Sequence, residues 1–338
     1  MTLSGAGTAS RRINTRTREP RHRRFRVLPL SSALSFQHMT TPFRYEQAFS
    51  RNIGWVTREE QALLRTKRVA IAGGGGVGGV HALTLARLGV TRFRIADFDT
   101  FDVPNFNRQV GAMMSTLGQP KVDVIRRMLL DINPECEVEV FDQGINDANL
   151  HAFLDGADTY VDALDFFAFD IRQKTFALCA RLGIPASTVA PLGMGAALLN
   201  FLPGKMTFEE YFQWGDLPET DKAVHFVVGL APAGLHRAYL VVPEAVNFVE
   251  RRGPSTIMAC QLCAGVMGTE VLKILLGRGR VLAAPWSIQF DAYRNKLVRS
   301  WRPGGNRNPL HRLMIRIGKK QLAKDLAAAQ PATAGATR

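Results

Sequence analysis

The feature that most constrains this sequence is a run of glycines between an apolar strand and an apolar helix. Residues 68–72 read RVAIA, typical of a buried strand, and they are followed by GGGGVGG and a helical pattern over 77–89. Within the run, Gly73, Gly75 and Gly78 have the spacing G-x-G-x-x-G. Small residues at this spacing let backbone amides approach phosphate oxygens at a helix N-terminus. The spacing predicts a nucleotide-binding turn at the start of an α/β domain.

Strand and helix patterns continue to alternate after this turn. Further strands are predicted over 92–97, 137–141, 158–164 and 184–190, and further helices over 119–133, 147–154 and 170–183. This alternation is typical of a parallel sheet with helices on both faces. Residues 193–204 and a hairpin over 286–301 then indicate antiparallel strands. The predicted fold class is α/β, a Rossmann-like doubly wound, mainly parallel sheet with an antiparallel extension in the C-terminal half.

The net charge of +14 is concentrated at the two ends of the chain. Residues 1–38 and residues 301–338 each carry +7, which leaves residues 39–300 with no net charge. A nucleic-acid binder with an evenly basic folded face is therefore excluded. Four cysteines are too few for a disulfide scaffold, and no apolar run approaches membrane-spanning length. We expect a cytoplasmic protein with no integral membrane association.

Polar residues gather where the predicted strands end. Asp97 closes the second strand, about 20 residues past the glycines, where an acid can bind the ribose hydroxyls of NAD or of another nucleotide. The same sheet edge is predicted to hold Asn105, Arg108, Gln109, Lys121, Asp162 and Asp165. A dehydrogenase does not need these additional charges. A triphosphate needs cations for its β and γ phosphates and an acid for Mg²⁺, so the pattern favours ATP.

Taken together, the segments GGGGVGG, DFDTFDVPNFNRQ, GQPK and DALD resemble the ThiF/MoeB/HesA family, relatives of the ubiquitin-activating enzymes. The upstream segment RYEQAFSRNIG resembles the arm that carries an arginine in that family. The resemblance implies an ATP-dependent adenylyltransferase that activates a carboxylate as an acyl-adenylate and releases pyrophosphate. The implied cofactors are ATP and Mg²⁺. The implied assembly is a homodimer that acts on a small carboxylate or on the C-terminus of a small ubiquitin-like carrier protein.

The resemblance also implies a role for each residue that matches the nucleotide-binding motif. The phosphate turn would be lined by Gly73, Gly75, Gly76 and Gly78. Asp97 would hold the ribose. Asp99 is the companion acid of the DFD element, and its role stays open.

The catalytic residues implied by the resemblance are charged. Asn105 and Arg108 would contact the phosphates, and Lys121 would neutralise the leaving pyrophosphate. Asp165 would hold Mg²⁺ bound to ATP. Arg51 would reach a triphosphate, in this family usually from the second subunit of the homodimer.

Other functions remain open. The segments DINPECEVEV and VDALD also resemble the branch that cyclises threonylcarbamoyladenosine in tRNA, although the neutral core shows no basic tRNA surface. A partner subunit that keeps the fold without catalysis is a third hypothesis, and the complete set of charged residues argues against it. An NAD dehydrogenase is the fourth hypothesis.

The cysteines depart from the pattern of many relatives, which carry two C-x-x-C pairs for zinc. Only Cys260 and Cys263 form such a pair here, so no structural zinc is expected. The pair lies in an apolar helical pattern, which favours buried core residues over a redox or persulfide role. Residues 185–259 contain no cysteine, so a thioester formed in that segment is not expected.

The domain organisation follows from these patterns. Residues 1–40 are predicted to be a disordered basic leader, and 41–301 a ThiF-type adenylation domain. Within it, about 205–258 is predicted to be a substrate-selecting insertion, whose segment TFEEYFQWGDLPETD is either an acidic receiving surface or a solvated loop. Residues 302–338 are a basic C-terminal tail. Its amphipathic pattern fits a surface-binding helix and packing on its own domain equally well.

Overall fold

A computed structural model of the chain describes residues 42–246 and 253–329. The predicted leader over 1–40 lies outside the described residues. The strands are β1 (Arg68–Ala72), β2 (Arg92–Ala96), β3 (Glu137–Phe141), β4 (Thr159–Asp162), β5 (Ala186–Leu192), β6 (Gly195–Phe201), β7 (Trp286–Asp291) and β8 (Lys296–Trp301). The helices are α1 (Tyr45–Ala48), α2 (Arg58–Thr66), α3 (Gly78–Arg87), α4 (Lys121–Ile132), α5 (Leu150–Leu154), α6 (Phe169–Leu182), α7 (Phe208–Phe212), α8 (Glu219–Leu230), α9 (Ile257–Leu276) and α10 (Pro309–Ala329).

The eight strands form one sheet in the order β3-β2-β1-β4-β5-β6-β7-β8. The pairs among the first five strands are parallel, and β5–β6, β6–β7 and β7–β8 are antiparallel. From the neighbouring strands β1 and β4, chain order runs outward in opposite directions, toward β3 on one side and toward β8 on the other. The switch point therefore lies between β1 and β4. The predicted fold class is confirmed. In such sheets the ligand site lies at this switch point, beyond the carboxyl ends of the strands.

Helices cover both faces of the sheet. On one face, α3, α4 and α9 pack over an aliphatic core that includes Val69, Ile71 and Ile95. On the other face, α5, α6, α7 and α8 pack over a core rich in aromatic rings. The two cores hold β1, β2 and β4 in place, and thereby position the loops that follow these strands.

The described part of the segment over 205–258 is more ordered than its sequence indicates. It contains α7 and α8, and five of its aromatic side chains are buried against the sheet: Phe208, Tyr211, Phe212, Trp214 and Phe226. Trp214 meets Phe169 of α6 edge-on, Tyr211 meets Phe201 of β6 edge-on, and Phe208 stacks on Phe176 of α6. The alternative of a solvated loop is therefore wrong for the part of the segment that carries these rings, whereas the acids Glu209, Glu210 and Asp216 are exposed. The sequence did not show this order because a five-residue helix is too short to show a helical period.

The arm upstream of β1, which contains the segment RYEQAFSRNIG, consists of α1, a 3₁₀ turn at Ser50–Asn52, and α2. The Tyr45 hydroxyl donates a hydrogen bond to the Gly89 carbonyl (2.6 Å), which ties α1 to the end of α3. Thr57 and Glu60 form a capping box that starts α2. These hydrogen bonds hold the arm at the C-terminal end of α3, whereas the glycine turn lies at the N-terminal end of that helix.

Among the helices of the described residues, α9 alone is long and apolar enough to cross a membrane by length and composition. The expectation that no segment approaches that length is therefore wrong. In this fold α9 packs against α3, β5 and β6, and residues such as Met267 and Val271 are completely buried in the core.

The C-terminal helix α10 packs on its own domain. Ile315 and Leu322 contact Val224 and Val228 of α8, and Lys319 forms an ion pair with Asp221. Packing on its own domain, one of the two alternatives that the sequence leaves open, is therefore found for the inner face of this helix.

His81, on α3, gives the fold a pH dependence that can be tested. The ring is 1% exposed and neither nitrogen has a hydrogen-bond partner among the described residues, and burial lowers its pKa from 6.5 to about 3. The unfolded chain therefore binds more protons than the native one between these two values. We expect His81 to lower the free energy of unfolding by about 1.4 kcal/mol per pH unit as the pH falls below 6.5.

The measurement is urea unfolding from pH 7 to pH 5 on the wild type and on His81→Leu. The substitution should reduce the pH slope by that amount, whereas the same change at the exposed His151 serves as the control. Parallel slopes for the wild type and His81→Leu would contradict this prediction.

Candidate nucleotide site

The glycine turn begins where β1 ends. Gly73 has a φ of +99°, and a Cβ there would lie 2.0 Å from the Ala163 carbonyl oxygen. A Cβ at Gly78 would lie 1.7 Å from the Gly73 carbonyl oxygen. Only glycine fits at these two positions, because the turn presses against the loop after β4 and folds back on itself.

The middle of the turn is open on its outer side. A Cβ at Gly75 would be 3.6 Å from Gln109 Nε2, and one at Gly76 would be 3.7 Å from Arg108 Cδ and 3.3 Å from Cys260 Sγ. The backbone here precedes the N-terminus of α3, which carries a partial positive charge. The turn thus presents amides at a helix N-terminus between an arginine and a glutamine, a geometry that suits phosphate.

Two acids after β2 have distinct partners. Asp97 accepts hydrogen bonds from the Gly74 amide (2.5 Å, Oδ2) and the Asp99 amide (2.8 Å, Oδ1). A carboxylate has about four acceptor positions, so Asp97 can still accept from ribose hydroxyls. Asp99 Oδ2 lies 2.8 Å from Lys121 Nζ. Asp99, whose role the sequence leaves open, therefore holds Lys121 beside the site.

The loop after β2 carries Arg108 along the turn. Its guanidinium donates to Asn107 Oδ1 (2.9 Å), and Asn107 Nδ2 donates in turn to the Ser255 carbonyl just before α9 (3.0 Å). Asn105 accepts from the Asp102 amide and closes a 3₁₀ turn. Arg108 is therefore at the glycine turn, whereas the described bond of Asn105 is within its own loop.

The loop after β4 carries Asp165 next to the turn, because Ala163 lies against Gly73. Asp165 is exposed, and its Oδ1 accepts from the Phe167 amide at 2.9 Å. Arg172, 2% exposed, organises the loop. Its Nε donates to the buried Asp162 at 2.8 Å, and its Nη2 donates to the carbonyls of Leu164 and Asp165.

The sequence did not point to Arg172 at all, and it placed Gln109 at the sheet edge without giving it a role of its own. The Arg172 guanidinium also lies 4.9 Å from the centre of the Phe226 ring, which connects the loop after β4 to α8. Gln109 is buried beside Gly75, and its Oε1 has no hydrogen-bond partner among the described residues. Gln109 follows Arg108 directly, so its position in the motif was an available signal. The role of Arg172 depends on tertiary contacts, so its position in the sequence gave no signal of that role.

Arg51 is not brought to the turn within one chain. Its neighbour Asn52 donates a hydrogen bond to the Leu88 carbonyl, just beyond the C-terminal end of α3 (3.3 Å). The ten residues of α3 separate the two ends by about 15 Å. Arg51 is exposed at the far end, where it is available to another molecule.

Cys260 and Cys263 are both completely buried on α9. Burial raises the pKa of Cys260 and raises that of Cys263 well above its ordinary value. Protonated thiols are poor nucleophiles and poor metal ligands, which favours a packing role over a redox role. Among the described ranges, no group of three or more His, Cys, Asp or Glu side chains is placed to hold a metal ion.

The residues at the turn fit a nucleoside triphosphate with its Mg²⁺. The backbone at Gly75, where an added Cβ would meet nothing closer than 3.6 Å, fits phosphate. Its nearest neighbour is Gln109 Nε2, a donor that suits a phosphate oxygen, and Arg108 is a cation beside Gly76. Asp165 supplies a single exposed carboxylate, and Mg²⁺ in phosphate sites is commonly held by one or two carboxylates plus the phosphates.

Comparisons with known proteins agree with this geometry. A model of the ThiF family matches residues 49–313. The chain is 39% identical over 150 residues to the tRNA threonylcarbamoyladenosine dehydratase of Bacillus subtilis, covering 44% of this chain and 57% of that protein. It is 33% identical over 141 residues to the molybdopterin-synthase adenylyltransferase of Escherichia coli, covering 42% of this chain and 56% of that protein. The chain thus spans a little over half the length of these relatives.

Among solved structures, the chain resembles E. coli MccB crystallised with AMPCPP and MccA. The TM-score is 0.59 at 20% identity, covering 77% of this chain and 73% of that one. MccB has also been crystallised with ATP. At this identity the likeness shows the fold.

Proposed function

Because this chain belongs to the ThiF family, we propose that it is an ATP-dependent adenylyltransferase that activates a carboxylate as an acyl-adenylate. The observation that carries the proposal is the convergence of Arg108, Gln109 and the Asp165 loop on the glycine turn. A site for NAD needs a glycine turn and an acid like Asp97, but it does not need this set of charges.

The proposed reaction places little covalent chemistry on the protein. An acceptor carboxylate oxygen attacks the α-phosphorus of ATP, the bond to the bridging oxygen breaks, and pyrophosphate leaves with the electron pair. The turn and the N-terminus of α3 position the phosphates, and Arg108 offsets the charge that develops on them. Asp165 would hold Mg²⁺, which would supply neutralisation of the phosphate charge. Lys121 forms an ion pair with Asp99. In the proposed reaction Lys121 faces the departing pyrophosphate.

A homodimer would complete the site. Arg51 lies at the wrong end of α3 to reach its own glycine turn, and it is exposed there. We infer that it acts on the triphosphate of a second copy, as the family resemblance implies. A cytoplasmic location belongs to the same proposal.

The acceptor is either a small carrier protein or peptide with a free C-terminal carboxylate, or a tRNA-borne carboxylate. The family resemblance and the molybdopterin-synthase adenylyltransferase match support the first. The 39% identity to a tRNA threonylcarbamoyladenosine dehydratase specifically favours the second as an alternative. Both begin with the same adenylation.

The test is ATP–pyrophosphate exchange with matched acceptors. One pair is a small ubiquitin-like carrier protein with a free C-terminal carboxylate and the same protein amidated there; the other is tRNA with and without threonylcarbamoyladenosine. Exchange should require the free carboxylate of one pair. If ATP binds but no carboxylate supports exchange, the enzyme proposal is wrong. That result would favour the hypothesis of a partner subunit without catalysis.

A further inference from the structure

The helix α10 has two apolar faces, and only one of them is used by the fold. Its inner face packs on α8 through Ile315 and Leu322, as described above. Leu310, Leu313 and Ile317 recur at helical spacing on the opposite face, and they are 56%, 53% and 54% exposed. Exposed aliphatic side chains in such a row on one helix face indicate a contact surface.

The flank of this outer stripe is cationic. Arg312, Arg316 and Lys320 are exposed, whereas Lys319 is turned toward Asp221 on the inner side. Residues 303–323 contain no Asp or Glu, so no acid on this stretch of chain offsets these charges. The surface therefore complements a partner that is both apolar and anionic.

A lipid surface fits these two properties better than a macromolecule does. Nucleic-acid binding is driven by phosphate contacts and gains little from three exposed aliphatic side chains. A stable protein interface needs about 800 Å² per partner, more than three half-exposed side chains on a convex helix provide. Interfacial helices combine an apolar stripe with Lys and Arg beside it, and they bind anionic headgroups.

From this surface we propose that the outer face of α10, defined by Leu310, Leu313 and Ile317 with Arg316 and Lys320, docks the folded protein on an anionic bilayer. The helix stays packed on α8 and lies in the plane of the membrane. The aliphatic side chains enter the headgroup boundary, and the cations contact lipid phosphates. The docking does not depend on adenylation.

The test is flotation of the full chain with vesicles of phosphatidylcholine, with and without phosphatidylglycerol. The chain should float only with the anionic vesicles. Arg316→Gln/Lys320→Gln should lower the vesicle partition coefficient about thirtyfold, since each cation near an anionic surface contributes roughly fivefold. Leu313→Ser/Ile317→Ser should lower it about tenfold or more, because the apolar anchor is lost.

Matched controls distinguish binding by α10 from a general effect of surface charge or of exposed apolar side chains. Arg126→Gln/Arg181→Gln removes two exposed arginines elsewhere, and Leu182→Ser removes an exposed leucine on α6. Both should float like the wild type. All variants should retain the melting temperature of the wild type, because the substituted side chains are exposed.

Several results would overturn the proposal. These are failure to float with anionic vesicles, equal flotation with phosphatidylcholine alone, and flotation unchanged by both helix variants, which would assign binding to another segment such as the basic residues 1–38. Binding of RNA or polyglutamate that depends on Leu313 and Ile317, without vesicle binding, would identify a different partner and also reject it.

Discussion

Replacing Arg108 with alanine, or Asp165 with asparagine, should lower acceptor-driven ATP–pyrophosphate exchange by about a thousandfold or more. Arg108 lies along Gly76, where an added Cβ would be 3.7 Å from its Cδ and Nε. Asp165 is the exposed carboxylate beside it, and its amide analogue cannot neutralise Mg²⁺. Each substitution removes charge from the place where charge develops in the transition state, so the loss should appear mainly in kcat.

The chain offers close controls for both changes. Arg126→Ala removes an exposed arginine from α4, and Asp170→Asn removes an exposed acid near Asp165 that pairs with Lys174. Both should exchange like the wild type. Since Arg108 also bonds within its own loop, thermal unfolding should accompany the assay. Full exchange in folded Arg108→Ala and Asp165→Asn would remove both residues from the catalytic set.

Alanine at Gly78 should abolish ATP binding and lower the melting temperature by about 5 °C or more. The new Cβ would lie 1.7 Å from the Gly73 carbonyl oxygen, so the turn must open. Backbone cannot move aside as a flexible side chain can. Gly73→Ala should behave alike, because its Cβ would meet the Ala163 carbonyl oxygen and its φ is +99°.

Alanine at Gly75 separates folding from binding. Its Cβ would have no protein neighbour closer than 3.6 Å, so the melting temperature should hold while the methyl group obstructs phosphate and weakens ATP binding. Gly265→Ala, exposed on α9 with nothing within 4 Å, is the control for ATP affinity. Equal ATP affinity in wild type and Gly75→Ala, measured by calorimetry, would place the phosphates elsewhere.

Local patterns were sufficient to predict the parallel half of the fold. Buried strands of β-branched and small residues alternate with amphipathic helices, and β1, β3 and the β7–β8 hairpin lie within a residue of their predicted bounds. The glycine turn was readable because steric demands at Gly73 and Gly78 act over a few residues.

What local patterns did not predict depends on contacts between distant segments. The rings of Phe208 and Trp214 look exposed in an acidic stretch, yet they are buried because Phe169 of α6 and the sheet receive them. Arg172 looks like one more surface charge on a helix until the fold places Asp162 beside it. Such pairings have no period that a sequence pattern could show.

The central claim is that the turn at Gly73–Gly78 holds ATP rather than a dinucleotide. Calorimetric titration of the full chain with ATP, AMP and NAD, each with and without Mg²⁺, tests it most directly. We expect ATP to bind, Mg²⁺ to strengthen that binding, and NAD not to compete with it. Binding of NAD without binding of ATP would contradict the claim that this turn holds ATP.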